Sequence, residues 1–227
     1  MSVRRPLFPS RVRAAALAAA VALAAAAPSG AGAPAAPPES AQPGVRMSLR
    51  AHEYSLGSSA APLTIVEFTD YQCPYCRQFQ AQTWPLLKRD YVDTGKVRFI
   101  VRDLPLSIHS AARSAAEVAH CAGAQGKFWP MHEALLASDA QLTDDYVLRQ
   151  ARAMGLNAQR LSACATADRY EAAITRNANA AAALGIQGTP TFIIGRSQPR
   201  ELRGERLGGA QPYEAFDAVL KRLLAQD

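Results

Sequence analysis

Hydrophobic positions along the chain form short apolar runs and longer repeats at helical spacing. The apolar and β-branched runs predict buried strands at Leu63–Phe68, Val97–Arg102, Thr191–Ile194 and near Arg200–Arg203. The helical repeats, bounded by Gly, Asp, Asn and Pro, predict helices at Pro74–Asp93, Ser110–Cys121, Lys127–Ala137, Asp144–Met154, Asn157–Cys164, Asp168–Leu184 and Tyr213–Ala225. Pro85 predicts a kink in the first helix.

The order of these elements predicts the fold class. A strand and a helix, a second strand, a block of helices at about residues 110–184, and two strands with a final helix indicate an α/β sheet that is interrupted by a helical insertion. Within this block, His132 is expected to be a packed helix residue. His109, which follows Leu104-Pro105-Leu106, is expected to cap a helix or to lie on the surface, and the alternative is that it approaches the active face.

Residues 1–33 have the organisation of a secretory signal peptide. A basic segment is followed by fourteen apolar residues, 14–27, and then by small residues. As a helix the apolar stretch would span about 21 Å, whereas the hydrocarbon core of a membrane is about 30 Å thick, so a signal peptide is preferred to a membrane anchor. Arg4 and Arg5 leave twin-arginine export open as an alternative to general secretion.

The segment that follows the signal peptide is rich in proline and alanine. Residues 34–46 are therefore predicted to be a flexible linker, and residues 47–227 are predicted to be the folded domain. The product is expected to be periplasmic or otherwise exported, and to be tethered to the membrane if the N-terminal segment is not cleaved.

Charge and cysteine content exclude several classes of protein. The formal net charge is +6, but four of these charges come from arginines in the first 33 residues, and the remainder is nearly neutral. No basic stripe with interleaved aromatic residues remains, which argues against a nucleic-acid partner. A chain of 227 residues with four cysteines is not a disulfide-stapled mini-protein.

The stretch Cys73-Pro74-Tyr75-Cys76 directly follows the first strand and opens the first helix. Cys73 is predicted as the N-cap and Pro74 as the first helical residue, where its missing N–H has no consequence. Free N–H groups and the positive end of the helix dipole favour a thiolate at Cys73. Such a thiolate is both the attacking group and a good leaving group in disulfide exchange. Cys76, one turn deeper, is predicted as the resolving thiol of a redox-active pair.

Two other interpretations of this cysteine pair are less favoured. A structural zinc site would need a second Cys or His pair at ligand spacing, and neither Cys121 nor Cys164 belongs to one. No metal site is therefore predicted. A purely structural disulfide is also disfavoured, because a bridge that closes so short a loop adds little stability.

Three stretches together resemble a known family. GSSAAPLTIVEFTDYQCPYCRQF, QGKFWPMHEAL and GIQGTPTFIIG, in this order, are similar to the DsbA-like thiol:disulfide oxidoreductases of the thioredoxin superfamily, over about residues 50–225. The resemblance implies a thioredoxin fold with a helical insertion between its two halves. It also implies that a Cys73–Cys76 disulfide oxidises reduced or unfolded exported proteins, that a quinone-linked membrane oxidoreductase reoxidises the pair, and that no cofactor is needed.

The same resemblance assigns roles to further residues. Thr189-Pro190 matches the cis-proline loop of the family, where the Thr189 backbone, together with Tyr75, would hold an extended substrate. The alternative is an ordinary turn before a strand. Glu67 matches a buried acid beneath the disulfide, whose pKa burial would raise so that it exchanges the proton of Cys76. The alternative for Glu67 is a solvent-facing position at an edge of the sheet.

Cys121 and Cys164 both lie within the predicted helical insertion. Helical insertions of some relatives carry a disulfide, and in an oxidising compartment these two cysteines are expected to form a structural one. Two buried free thiols remain the alternative.

Three functions are compatible with these features. The first is an exported, monomeric enzyme that donates disulfides to folding proteins. The second is a reductase or isomerase of the same fold, which the short segment before the domain disfavours because it cannot supply a dimerisation domain. The third is a module that binds unfolded chains without using its cysteines.

Overall fold

The computed structural model describes residues 42–50, 53–138 and 141–226, and the predicted signal peptide lies outside these ranges. The described elements, in chain order, are β1 (Gln42–Ser48), β2 (Ser55–Leu56), β3 (Leu63–Thr69), α1 (Pro74–Gln82), α2 (Trp84–Leu87), a π-helical turn (Lys88–Val92), β4 (Val97–Asp103), α3 (Ala112–Gly123), α4 (Phe128–Ala137), α5 (Asp144–Ala153), α6 (Ala158–Thr166), α7 (Glu171–Ala183), β5 (Thr191–Ser197), β6 (Glu201–Gly208) and α8 (Tyr213–Leu224).

The strands form one mixed sheet in the order β1-β6-β5-β3-β4-β2. β3 and β4 are parallel, with Leu63 opposite Val97, and the other pairs are antiparallel. Parallel neighbours require a crossover connection, which α1, α2 and the π-helical turn supply. Helices α3 to α7 lie between β4 and β5 in the chain. The prediction of an α/β sheet interrupted by a helical insertion is therefore confirmed.

Strand β1 begins before the predicted start of the domain. It covers Gln42–Ser48 and pairs with β6, so the prediction that the linker extends to residue 46 is wrong for residues 42–46. Val45 and Met47 pack on one face of the sheet, which stabilises the strand. Pro43 is compatible with this position because β1 is an edge strand, where a missing N–H need not interrupt a ladder.

The first predicted helix is divided into three segments. α1 ends at Gln82 and α2 begins at Trp84, so the break lies at Thr83 rather than at the predicted kink residue, Pro85. Pro85 instead occupies the first turn of α2, where no helical partner is lost. The Thr83 hydroxyl donates to the carbonyl of Gln211 at 2.9 Å, which fixes the break against the start of α8.

Both faces of the sheet are covered by packed side chains. The larger core includes Leu63, Ile65 and Phe79, and the second core includes Val66 and Phe68. Side chains alternate between the two faces of a strand, so Glu67 lies on the same face as Leu63 and Ile65. That face is the one against which α1 and the cysteines pack.

The helical insertion is joined to the sheet and to itself by specific bonds. Cys121 of α3 and Cys164 of α6 form a disulfide with an S–S distance of 2.03 Å. The buried carboxylate of Asp103, at the end of β4, accepts hydrogen bonds from His120 Nε2 at 2.8 Å and Asn177 Nδ2 at 2.9 Å. β4 is thereby connected to α3 and α7.

Candidate active site

The cysteine pair lies where β3 turns into α1. Cys73 is the N-cap of α1, with an extended backbone (φ −67°, ψ 122°), and Pro74 is the first helical residue. Both Cys73 and Cys76 are buried and are free thiols. The structure therefore represents the reduced state of a pair whose sulfurs share the first turn of a helix.

The environment of Cys73 favours its thiolate. Hydrogen bonds lower its pKa to about 5, and the strongest of them comes from the Cys76 side chain. The Thr189 side chain and the backbone N–H groups at the start of α1 lower this pKa further, against the opposing effect of burial. The thiol form donates to the Thr189 carbonyl at 3.2 Å, so Cys73 contacts the loop before β5.

Cys76 has the opposite character. It is fully buried, and this burial is the main reason why its pKa lies well above the usual value of a thiol. The hydrogen bond with Cys73 and repulsion from the carboxylate of Glu67 act in the same direction. One thiol of the pair is therefore easily ionised and the other is held neutral.

Glu67 is fully buried in the central strand β3, between β4 and β5. Within the described chain neither of its carboxyl oxygens has a hydrogen-bond partner. Burial raises its pKa to about 8, so the group is protonated at neutral pH. The alternative of a solvent-facing residue at a sheet edge is wrong, and the catalytic role of Glu67 stays a prediction.

The loop before β5 brings Thr189-Pro190 to the cysteines. The peptide bond between these two residues is cis. Thr189 is buried, and its carbonyl accepts the hydrogen bond from Cys73 already described. The sequence-predicted residues Cys73, Cys76 and Thr189 therefore lie together.

Two large apolar side chains are exposed near this site. Tyr75, between the cysteines, is 60% exposed, and Ile108 is 80% exposed. Tyr75 was predicted as a substrate contact, whereas Ile108 was not singled out. Ile108 lies in the loop between β4 and α3, and the next residue, His109, is bonded to the active-site turn.

Asp70 is the site residue that sequence analysis missed. Its buried carboxylate lies 2.9 Å from Nδ1 of His109, so His109 approaches the active face, the alternative to the expected cap or surface position. The available signal was a charged residue directly after a buried strand and three positions before Cys73. The partner was not apparent because 39 positions separate Asp70 from His109.

The two residues after Asp70 join the same turn to the helical insertion. The Tyr71 hydroxyl lies 3.0 Å from Nδ1 of His132, which is buried in α4 as predicted. Burial lowers the pKa of His132 to about 4, so its neutral ring accepts this hydrogen bond. Gln72 Oε1 accepts from the backbone N–H of Ala111 at 2.5 Å. The insertion thus positions the turn that carries Cys73.

The part of the chain that the structure describes contains no group of three or more His, Cys, Asp or Glu residues arranged to hold a metal ion. Among the described helices, none has the length and apolar character needed to cross a membrane. A cavity of about 400 Å³ lined by Thr64, Arg98 and Ser197 lies at the other end of β3, away from the cysteines.

Comparisons with known proteins agree with the observed fold. The sequence profile described as thioredoxin matches residues 50–222, which is most of the chain. The chain belongs to the thioredoxin family. The solved structure of Wolbachia pipientis alpha-DsbA1 has a similar fold. This structure has a TM-score of 0.69 at 23% identity and covers 78% of this chain and 94% of its own.

Relatives of this thioredoxin-family protein differ in length. The chain is 35% identical over 170 residues to the Na(+)/H(+) antiporter NhaA 3 of Salinispora tropica, covering 74% of this chain and 24% of the antiporter. It is 32% identical over 95 residues to disulfide bond formation protein D of Bacillus subtilis, covering 40% of this chain and 42% of that protein. The chain therefore spans about a quarter of the antiporter relatives that it matches.

Proposed function

We propose that this thioredoxin-family protein is an exported thiol:disulfide oxidase that introduces disulfides into reduced or unfolded exported proteins. The observation that carries the proposal is the inequality of the two thiols, with the pKa of Cys73 lowered to about 5 and that of Cys76 raised. A stabilised thiolate favours the reduced pair over its disulfide, and a pair that favours reduction oxidises its substrates.

The reaction starts from the Cys73–Cys76 disulfide. A substrate thiolate attacks Sγ of Cys73 and forms a new S–S bond, while the bond to Cys76 breaks and its electron pair leaves on Cys76. Glu67, protonated at neutral pH because its pKa is about 8, gives its proton to this buried sulfur. A second substrate thiolate then attacks the substrate sulfur of the mixed disulfide, and Cys73 leaves as a thiolate. The substrate loses two electrons, which the cysteine pair gains.

Substrate binding is proposed for the residues around Cys73. The backbone of Thr189, before Pro190, offers hydrogen-bonding groups to an extended peptide, as an added strand would use them. Tyr75 is exposed beside the sulfurs and supplies an apolar contact. Since these groups recognise backbone and apolar surface, they suit many unfolded sequences rather than one.

The cellular setting follows from the same proposal. Residues 1–33 have the organisation of a signal peptide, which supports a periplasmic or otherwise exported enzyme. After each turnover the reduced pair would be reoxidised by a quinone-linked membrane oxidoreductase, so no bound cofactor is required. We propose that the protein acts as a monomer and does not bind nucleic acid.

The reduction potential of the 73–76 pair, measured against glutathione, tests the direction of electron flow. We expect a value near about −120 mV, as for a strong oxidant. A value near about −270 mV would instead identify a reductase. The potential thus separates the oxidase from the reductase or isomerase alternative.

Replacement of the attacking cysteine tests whether the protein is an enzyme. Oxidative refolding of a reduced substrate protein is expected to lose all acceleration in Cys73→Ser, since no mixed disulfide forms. The variant Cys121→Ser/Cys164→Ser serves as the control for general loss of cysteines. Full activity of Cys73→Ser would identify a module that binds unfolded chains instead.

A further inference from the structure

Asp70 contacts both active-site cysteines through its main chain. Its carbonyl accepts a hydrogen bond from the backbone N–H of Cys73 at 3.1 Å. Its own N–H donates to Sγ of Cys76 at 3.5 Å, a length within the range of hydrogen bonds to sulfur. The orientation of one peptide segment therefore determines how Cys76 is solvated in a site from which water is excluded.

The side chain of Asp70 fixes that orientation. The fully buried carboxylate accepts three hydrogen bonds, from the backbone N–H of Gln72 at 2.7 Å, the backbone N–H of Leu106 at 2.8 Å and Nδ1 of His109 at 2.9 Å. A carboxylate only accepts, so Nδ1 of His109 is the donor. The first of these bonds closes the active-site turn, and the other two connect it to the loop between β4 and α3.

We propose that Asp70 and His109 are positioning residues for disulfide exchange: their bond holds the Asp70 N–H on Cys76, the sulfur that leaves when the Cys73–Cys76 disulfide is attacked. This inference rests on the proposed function. The step itself is unchanged: the bond between Cys73 and Cys76 breaks, and the electron pair goes to Cys76 before the proton arrives from Glu67.

The physical reason is the charge that develops on a buried sulfur. In the disulfide, Sγ of Cys76 is neutral, and a hydrogen-bond donor stabilises it only slightly. As the bond breaks, the sulfur becomes a thiolate, and a hydrogen bond to a charged acceptor is about twice as strong as one to a neutral acceptor. A donor that already points at the developing charge lowers the barrier without any reorganisation.

Two substitutions of His109 separate its hydrogen bond from its bulk. His109→Asn places an amide nitrogen where Nδ1 lies and keeps a donor to Asp70, whereas His109→Leu keeps similar bulk and has no donor. The quantity to be measured is the rate at which dithiothreitol reduces the 73–76 disulfide of the full oxidised protein. His109→Leu is expected to lower this rate about fivefold to tenfold, the size of one hydrogen bond's net contribution. His109→Asn is expected to stay within about twofold of the native rate.

A control away from the active-site turn tests for general loosening. Tyr91→Phe removes the hydrogen bond from the Tyr91 hydroxyl to Asp217 but none of the bonds of Asp70, so its rate should stay within about twofold of the native rate. An equal loss in Tyr91→Phe and His109→Leu would overturn the inference. So would an unchanged rate in His109→Leu, or a loss of the same size in His109→Asn.

The native protein provides a second measurement if His109→Leu does not fold. The ¹⁵N resonances of the His109 ring in the native protein are expected to show that Nδ1 carries a proton, because it donates to the Asp70 carboxylate, and an Nδ1 without a proton would overturn the inference. Failure of the function and failure of the inference are distinguishable. Activity retained in Cys73→Ser would remove the oxidase, whereas an inactive Cys73→Ser with a native rate in His109→Leu would remove only the positioning role.

Discussion

At the scale of single residues, the site contains a carboxyl group in an environment that opposes its charge. Glu67 lies on the face of β3 that packs beneath the cysteines, and burial raises its pKa to about 8. The same group that is proposed to supply a proton to Cys76 therefore lowers the stability of the fold. A residue that lowers stability in this way is typical of a functional site.

Replacement of Glu67 is expected to stabilise the reduced protein in a pH-dependent way. Below pH 4.5 the carboxyl is neutral in the folded and the unfolded chain, and Glu67→Gln should have little effect. As the pH rises from 4.5 to about 8, only the unfolded chain loses the proton, so the penalty in the native protein grows and then levels off. At pH 7 the variant should gain about 3 kcal/mol in unfolding free energy, as measured by denaturant titrations.

A second carboxyl provides the matched control for this experiment. Glu133 in α4 is half-buried, and Glu133→Gln should change the unfolding free energy by about 0.5 kcal/mol or less at every pH. Reduction of the 73–76 disulfide by dithiothreitol should also be slower in Glu67→Gln, because Gln gives no proton to Cys76. A gain in stability that does not increase with pH would contradict the assigned ionisation of Glu67.

Residues close together in the chain could be assigned from sequence, and distant partners could not. The role of Cys73 follows from its position at the start of a helix and from the spacing to Cys76, both of which are local. Glu67 was placed beneath the cysteines only through the family resemblance, since alternation alone left its face undecided. The bond between Asp70 and His109 depends on how β4 and its following loop pack, which the sequence pattern does not contain.

At the scale of elements, the helical insertion supports the turn that carries the cysteines. Its own stability depends in part on the disulfide between α3 and α6. The bridge joins cysteines 43 positions apart, and chain entropy gives a loop of this length an upper limit of about 4 kcal/mol. The insertion should therefore lose stability, but keep its fold, when the bridge is removed.

Removal of this disulfide is expected to change stability without changing the redox chemistry. Cys121→Ser/Cys164→Ser should lower the unfolding free energy by about 2–4 kcal/mol in urea titrations. The reduction potential of the 73–76 pair should stay at its native value, because the bridge joins α3 to α6 whereas the redox pair lies at the start of α1. Ala163→Ser, which adds a hydroxyl next to Cys164 at an exposed position, is the control and should have little effect.

Element types were predicted better than element boundaries. β3 and β4 were found because their apolar runs are continuous, as expected for strands buried on both faces. β1 was missed because Pro43 and Gly44 resemble a linker, and only pairing with β6 makes this segment a strand. The helix breaks at Thr83, whereas a kink was predicted at Pro85. The sequence does not reveal that a second helix begins just before the proline.

At the scale of the whole molecule, the unequal thiols couple the redox state to global stability. In the reduced protein the pKa of Cys73 is about 5, whereas an unfolded thiol has a value near 9. The thiolate therefore stabilises the reduced fold fully above pH 9, and this stabilisation is lost as the pH falls through 5. The disulfide form has no such group, so its stability lacks this dependence on pH.

As the pH rises from 5 to 9, the unfolding free energy of the reduced protein should therefore increase relative to that of the oxidised protein. Glu67 lies in the central strand β3 rather than in the bond that changes, so its penalty is expected to cancel largely in the comparison. The measurement is a pair of urea titrations at several pH values, made in the Cys121→Ser/Cys164→Ser variant so that only the 73–76 pair changes. A difference independent of pH would mean that Cys73 is not ionised in the fold, and would remove the basis for an oxidising pair. A difference that moves towards the oxidised form would mean that the fold raises the thiol pKa of the reduced pair, and would contradict a stabilised thiolate at Cys73.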